Sequence, residues 1–182
     1  VSEALNAGEN LLVVRVDNRR AADDIPTPTT DWHNYGGLTR EVSLLGVPAA
    51  YVRSWQIGLD SEPGAKSAAI AGWIETVGFA EGDEGVLSIP ELGIEQVFAV
   101  DPAGRAEIRI PANPQRWSPE NPRLYDVEIR AGKDSASDRI GFRTVSVRGE
   151  EILLNGEPVF LRGISLHEER PSDGGRVYSQ AQ

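Results

Sequence analysis

The 182-residue chain has no cysteine, no methionine and two histidines, His33 and His167. Without cysteine, disulfides, thiolate zinc sites, iron–sulfur clusters and a cysteine nucleophile are excluded. Two histidines are too few for a multi-histidine metal centre, so neither a metal nor a cofactor is expected. Long apolar runs are missing as well: none approaches the roughly 18 residues of a membrane span. The first residues, Val-Ser-Glu-Ala-Leu-Asn, lack the basic stretch and apolar run of a signal peptide. Positive charge is scarce, with 18 Lys and Arg against 28 Asp and Glu for a net charge of −10, and the longest basic cluster is Arg19–Arg20. Nucleic acid and membrane are therefore not expected as partners. With no methionine at position 1, the sequence reads as a piece of a longer protein.

Apolar residues alternate with polar ones, and 3.6-residue stripes are absent. Leu12, Val14 and Val16 alternate in one run; Tyr51, Trp55, Ile57 and Leu59 share one side of another. Ala106, Ile108 and Ile110 oppose Glu107 and Arg109, and Tyr125, Val127 and Ile129 oppose Asp126, Glu128 and Arg130. Turn residues separate the runs at 61–64, 81–85, 101–104 and 131–134. Glycine (19) and proline (12) are plentiful enough for many turns. Segment 68–77 contains alanines that suit a helix, but Gly72 and the β-branched Ile70, Ile74, Thr76 and Val77 favour a strand. The pattern predicts an all-β antiparallel sandwich.

Three sections follow. Residues 1–47 are expected to hold strands at 11–17 and 38–46 around a long loop, 18–35, of the kind that often carries function. Residues 48–146 hold about seven strands, with Trp55 or Trp73 expected in the core. Residues 150–166 read as a hairpin, Ile152–Leu154 against Val159–Leu161, in which Asn155-Gly156 supplies a type I′ turn.

Several catalytic patterns can be set aside. Gly163-Ile164-Ser165-Leu166-His167 lacks the second glycine of a nucleophile elbow. His167-Glu168-Glu169-Arg170-Pro171 lacks the second histidine of a zinc-protease helix, and Pro171 would break it. Asp23-Asp24, Glu150-Glu151 and Glu168-Glu169 are adjacent pairs, which on a strand point to opposite faces and cannot flank one glycosidic bond. Tyr35-Gly36-Gly37-Leu38 lacks the lysine and helix of a phosphate loop.

Four stretches carry a family resemblance. Asn10–Asn18 followed by Asp31-Trp32-His33-Asn34-Tyr35-Gly36-Gly37-Leu38-Thr39-Arg40-Glu41-Val42-Ser43-Leu44 resembles the end of the jelly-roll sugar-binding domain of glycoside hydrolase family 2, which includes β-galactosidases, β-glucuronidases and β-mannosidases. Trp117-Ser118-Pro119-Glu120-Asn121-Pro122-Arg123-Leu124-Tyr125 resembles the approach to a late strand of the family's immunoglobulin-like domain, and Gly141-Phe142-Arg143 its last strand. Ile152–Glu169 resembles the start of the catalytic (β/α)8 barrel. The resemblance implies three parts: 1–47, the C-terminal part of the jelly roll; 48–146, the immunoglobulin-like sandwich; 147–182, the truncated barrel start. It implies a parent that hydrolyses terminal β-linked sugars with retention. The family's Asn-x-Arg-x-x-His-Tyr-Pro motif and its catalytic glutamates are not in this sequence, so the chain alone is expected to be inactive.

Two positions match substrate-contacting residues of the family, Asp31 and His167, which makes a carbohydrate the expected partner of the full-length enzyme. A carboxylate can accept from two neighbouring sugar hydroxyls and an imidazole can bond a third. Taken without the resemblance, Asp31 suits an Asx turn and His167 a strand end. Trp32 and Tyr35 either line the sugar or pack the loop; His33 is expected to be exposed. In the isolated piece, segments 11–17, 38–46 and 151–164 lack their partners, so they pack back on the sandwich or pair between molecules as a homo-oligomer. A free-standing sandwich-type binding or adhesion module is the alternative, although such a module has no reason to carry Arg162–Glu168.

Overall fold

A computed structural model describes residues 4–24, 28, 36–38, 41–60, 68–166, 169 and 177. The chain divides into two compact units, 1–45 with 164–182, and 46–163.

Among its described residues the 46–163 unit has ten strands: β1 (Tyr51–Asp60), β2 (Ala69–Val77), β3 (Glu84–Ile89), β4 (Ile94–Ala99), β5 (Arg105–Pro111), β6 (Tyr125–Ala131), β7 (Asp134–Ile140), β8 (Val145–Arg148), β9 (Glu151–Leu154) and β10 (Glu157–Pro158). The first seven form a sandwich of the immunoglobulin type, with β1-β2-β5 in one sheet and β4-β3-β6-β7 in the other. All pairings are antiparallel. The third sheet, β10-β9-β8, is the hairpin plus a strand that the sequence pattern did not single out. A 3-10 turn at Pro90–Leu92, closed by Gly93 at φ 63°, links β3 to β4. Among the described residues no helix is long and apolar enough to cross a membrane.

The core is one cluster fed by both sheets. Ile57, Ile70, Ile74, Ala106 and Ile108 come from one face, and Leu87, Ile89, Phe98, Tyr125, Val127, Ile129 and Ala131 from the other, with Val100 and Phe142 between strands. Each fully buried large aliphatic side chain contributes roughly 1.5–3 kcal/mol. Residues 69–77 form a central strand, as the β-branched residues predicted. Gly72, at φ +158°, lies so close to β1 that a Cβ would sit 1.8 Å from the Gln56 carbonyl oxygen. Buried Thr76 donates its hydroxyl to the Gly104 carbonyl at 3.0 Å. Tyr125, at the start of β6, packs against Phe142 with ring centroids 5.5 Å apart and tilted by 46°, and accepts the Gln115 amide at 2.9 Å through its hydroxyl. The bond ties the chain before this late strand to the core.

Several expectations need correction. Residues 11–17 and the described part of 38–46 form no β-ladder. A strand is completed by a partner, and here the apolar side chains stay in solvent: Leu11 is 90% and Leu45 83% exposed. A bulge between Val52 and Ser54 shifts the β1 register, so Val52, not Tyr51, joins Trp55 and Leu59 against the core. Trp55 is half-buried on that core, whereas Trp73 lies on the outer face of β2 under the Arg105 guanidinium, 4.7 Å from its ring. The last sandwich strand is β7; Gly141-Phe142-Arg143 follows it, with Phe142 fully buried. The second hairpin strand stops at Pro158, leaving Phe160 83% exposed. The predicted turn at 61–64 lies outside the described residues.

Candidate functional site

Asp31 and His167, the two candidate sugar contacts, lie outside the described residues, as do Trp32, His33 and Tyr35. What is described are the stretches that flank them.

The loop carrying Asp31 leaves the chain after Asn18 and returns at Gly36. These two residues touch: a Cβ on Gly36 would meet the Asn18 side-chain nitrogen at 2.6 Å, so only glycine fits the neck without displacing it. Beside the neck, Asp17 accepts from the Arg19 amide at 3.1 Å and from its guanidinium at 2.6 Å. The Arg19 side chain holds the exposed Asp17 carboxyl below its ordinary range, and Asp17 raises Arg19 in return. The loop's first turn is closed by Asp24, which accepts the Ala21 amide at 2.6 Å. Nearby, Asn10 folds residues 6–10 into a turn through the Asn6 amide and the Asn6 and Gly8 carbonyls. Leu5, Leu11, Leu12, Val42 and Leu44 line an apolar cleft of about 380 Å³. The two segments read as strands thus share a cleft without pairing.

The stretch leading to His167 starts from the β9–β10 hairpin. Asn155 and Gly156 take φ 55° and 89°, the two positive values a type I′ turn requires. Asn155 does more than turn. Its backbone amide donates to the Thr144 carbonyl at 2.9 Å, its Oδ1 accepts the Thr144 amide at 3.1 Å, and its Nδ2 donates to the Trp117 carbonyl at 2.9 Å. Trp117 is itself fixed to the core segment: its amide donates to the Phe142 carbonyl at 2.9 Å. Its indole packs on the Gly141 backbone, where a Cβ would come within 2.7 Å, and lies 5.2 Å from the Arg143 guanidinium. The sequence reading found the turn but not this clamp. The available signal was Asn, rather than Gly, at the first positive-φ position.

A second groove, about 540 Å³, runs between β1 and β7 and is lined by Arg53, Ser54, Trp55, Gln56, Ser137 and Asp138. Ser54 already donates to Glu75 at 2.8 Å. Arg105 is raised, chiefly by its hydrogen bond to Glu107. The displaced titrations of Asp17, Arg19 and Arg105 thus belong to surface ion pairs, and they are not the facing carboxyls with separated pKa values that acid–base hydrolysis needs.

The family model described as glycosyl hydrolases family 2 matches residues 84–143, from β3 to Arg143. A β-galactosidase of Arthrobacter sp. (strain B7) is 36% identical over 182 residues, all of this chain and 17% of that protein. A putative β-glucuronidase of Formosa agariphila is 26% identical over 97% of the chain and 23% of its own length. Among solved structures, the β-glucuronidase of Ruminococcus gnavus in complex with D-glucuronic acid superposes with a TM-score of 0.64 at 28% identity, covering 85% of this chain and 27% of that one. The chain thus spans about a fifth of the curated relatives it matches. By its sandwich, by the model matched within it and by relatives aligned along it, the chain is similar to part of the proteins of glycoside hydrolase family 2.

Proposed function

We propose that the chain is a non-catalytic part of a retaining exo-β-glycosidase. Residues 1–47 end its jelly-roll sugar-binding domain, 48–146 form its immunoglobulin-like domain, and 147–182 begin its catalytic barrel. The observation that supports this most is the single alignment to a β-galactosidase over all 182 residues, running through loop, sandwich and hairpin in one order.

Retention requires two carboxyls about 5–5.5 Å apart, one acting as nucleophile and the other as acid and then base. In this reading those carboxyls lie elsewhere in the parent, and the chain contributes to binding. Asp31 accepts hydrogen bonds from two adjacent hydroxyls of the terminal sugar, and His167 bonds another. A bond to an ionised acceptor is worth about 1.5–3 kcal/mol and a neutral one about 1 kcal/mol. Asp31→Ala in the full-length protein is therefore expected to lower kcat/KM by more than His167→Ala, with thermal melts little changed. The isolated chain is expected to hydrolyse neither an aryl β-galactoside nor an aryl β-glucuronide. Wild-type kcat/KM in Asp31→Ala would remove the site assignment; turnover that co-purifies with the isolated chain would remove the non-catalytic reading.

A further inference from the structure

We propose that the groove between β1 and β7 is a binding site for a neutral saccharide, built around Trp55, Arg53 and Asp138. The proposal goes beyond the binding role given to Asp31 and His167 and does not rest on it. β1 ends one sheet of the sandwich and β7 ends the other, so the groove runs along the open edge between the two sheets. Its volume, about 540 Å³, is that of a small-molecule site. On the β1 side, Trp55 lines the groove and is half-buried against the core. Among the described residues its indole N–H has no hydrogen-bond partner, yet it is not buried. An indole with an apolar face and an unused donor suits a pyranose, which offers C–H groups on its faces and hydroxyls around its rim. On the β7 side, Asp138 pairs with Val127, a core residue, so its carboxylate stands on the inner face of the sheet although it is exposed. Its Oδ1 accepts the neighbouring Arg139 amide at 2.7 Å, which leaves Oδ2 for a ligand hydroxyl. Arg53 is the extra residue of the β1 bulge: Val52 pairs with Thr76 and Ser54 with Glu75, and Arg53 has no counterpart. Bulges re-aim side chains. Here the exposed guanidinium lines the groove and has no partner among the described residues.

The lining decides the charge of the ligand. Arg53 repels a cation and Asp138 an anion, whereas a neutral molecule rich in hydroxyls can use both. A planar guanidinium and a carboxylate each match two adjacent hydroxyls. An extended peptide fits less well, although β1 is an edge strand. The bulge interrupts that edge, and Asp134 already accepts the Val52 amide at 2.8 Å. Asp138 adds an inward-pointing charge on the facing edge. These are devices that keep an edge from pairing with another chain.

The test is an NMR titration of the 182-residue chain with three neutral probes, β-1,4-galactotetraose, cellotetraose and xylotetraose, and with tetragalacturonate and tetralysine as charged controls. At least one neutral probe is expected to bind in the millimolar range and to move the Trp55 indole N–H signal, identified by its loss in Trp55→Phe. The Trp73 and Trp117 signals should stay in place. Arg53→Ala and Asp138→Asn change exposed side chains, so their thermal melts should match the wild type. Each is expected to weaken binding about three- to tenfold, the loss of roughly one hydrogen bond. Asp31→Ala is expected to leave this binding unchanged, which keeps the groove separate from the loop that carries Asp31. Trp55 signals unmoved by all three neutral probes at tens of millimolar would overturn the proposal. So would tighter binding of either charged control, or wild-type affinity in both Arg53→Ala and Asp138→Asn. Binding abolished by Asp31→Ala would place the saccharide at the loop and overturn the groove, while supporting the role proposed for Asp31.

Discussion

At the scale of single residues, side chains in the stretch before the candidate loop are organised by short-range pairing. Asp17 and Arg19, two positions apart, form a charge-assisted pair at the neck of the loop that carries Asp31. The folded-state pKa of Asp17 is lowered, so whatever the pair adds to the neck is present above the unfolded-state pKa and fades as pH falls through the folded value. Both groups are exposed, and salt should weaken the effect. In an NMR titration, the Asp17 carboxyl is expected to show a midpoint below the ordinary aspartate range. That displacement should shrink in Arg19→Gln and at high salt. A midpoint unmoved by Arg19→Gln would mean that the pair does not persist in solution. Asn18 and Asp17 stood in the motif that suggested the family, but the contact between Asn18 and Gly36 spans the loop and could not be read from spacing.

At the scale of elements, alternation located the strands better than it located their faces. The period-2 rule puts Tyr51 with Trp55, Ile57 and Leu59. One extra residue in the β1 register hands the inward position to Val52. A bulge changes the parity of everything before it without altering composition, so hydropathy does not reveal it. Val52→Asp is accordingly expected to destabilise the sandwich by roughly 2 kcal/mol or more, since it drives a charge toward apolar contacts. Tyr51→Asp is expected to cost distinctly less. Urea melts of the two variants decide it: equal midpoints would mean that the bulge is not where it has been placed. The same reasoning covers Trp73. Of the two tryptophans offered for the core, Trp55 packs against it, whereas the parity of Trp73 in β2 puts it outside, where Arg105 covers it.

At the scale of the whole molecule, the two units differ in how their apolar residues are used. The sandwich buries Ile70, Ile74, Leu87, Ile89 and Ile129 completely, whereas Leu11, Val13, Leu44 and Leu45 are 90%, 79%, 71% and 83% exposed. Segments of high β-propensity with unmade ladders are templates for another chain. The isolated chain is therefore expected to self-associate, its mass by light scattering rising with concentration. Leu11→Asp together with Leu44→Asp should return it to a monomer while leaving the melting of the sandwich unchanged. A wild-type chain of constant monomer mass over that range would refute this.

The amino-acid sequence by itself determined the β class, most turn positions, the strand at 69–77, the Asn155-Gly156 turn and the resemblance to a family. These depend on local chemistry, such as alternation, β-branching and the residues that accept positive φ, or on motifs met in order along the chain. Only the tertiary structure decided which strands found partners, which face of β1 and β2 turned inward, and that Asn155 spends its side chain on Trp117 and Thr144. Those outcomes are pairings between residues far apart in the chain. Whether an apolar, alternating segment becomes a strand depends on an edge that another segment presents, and no local pattern encodes the presence of that edge.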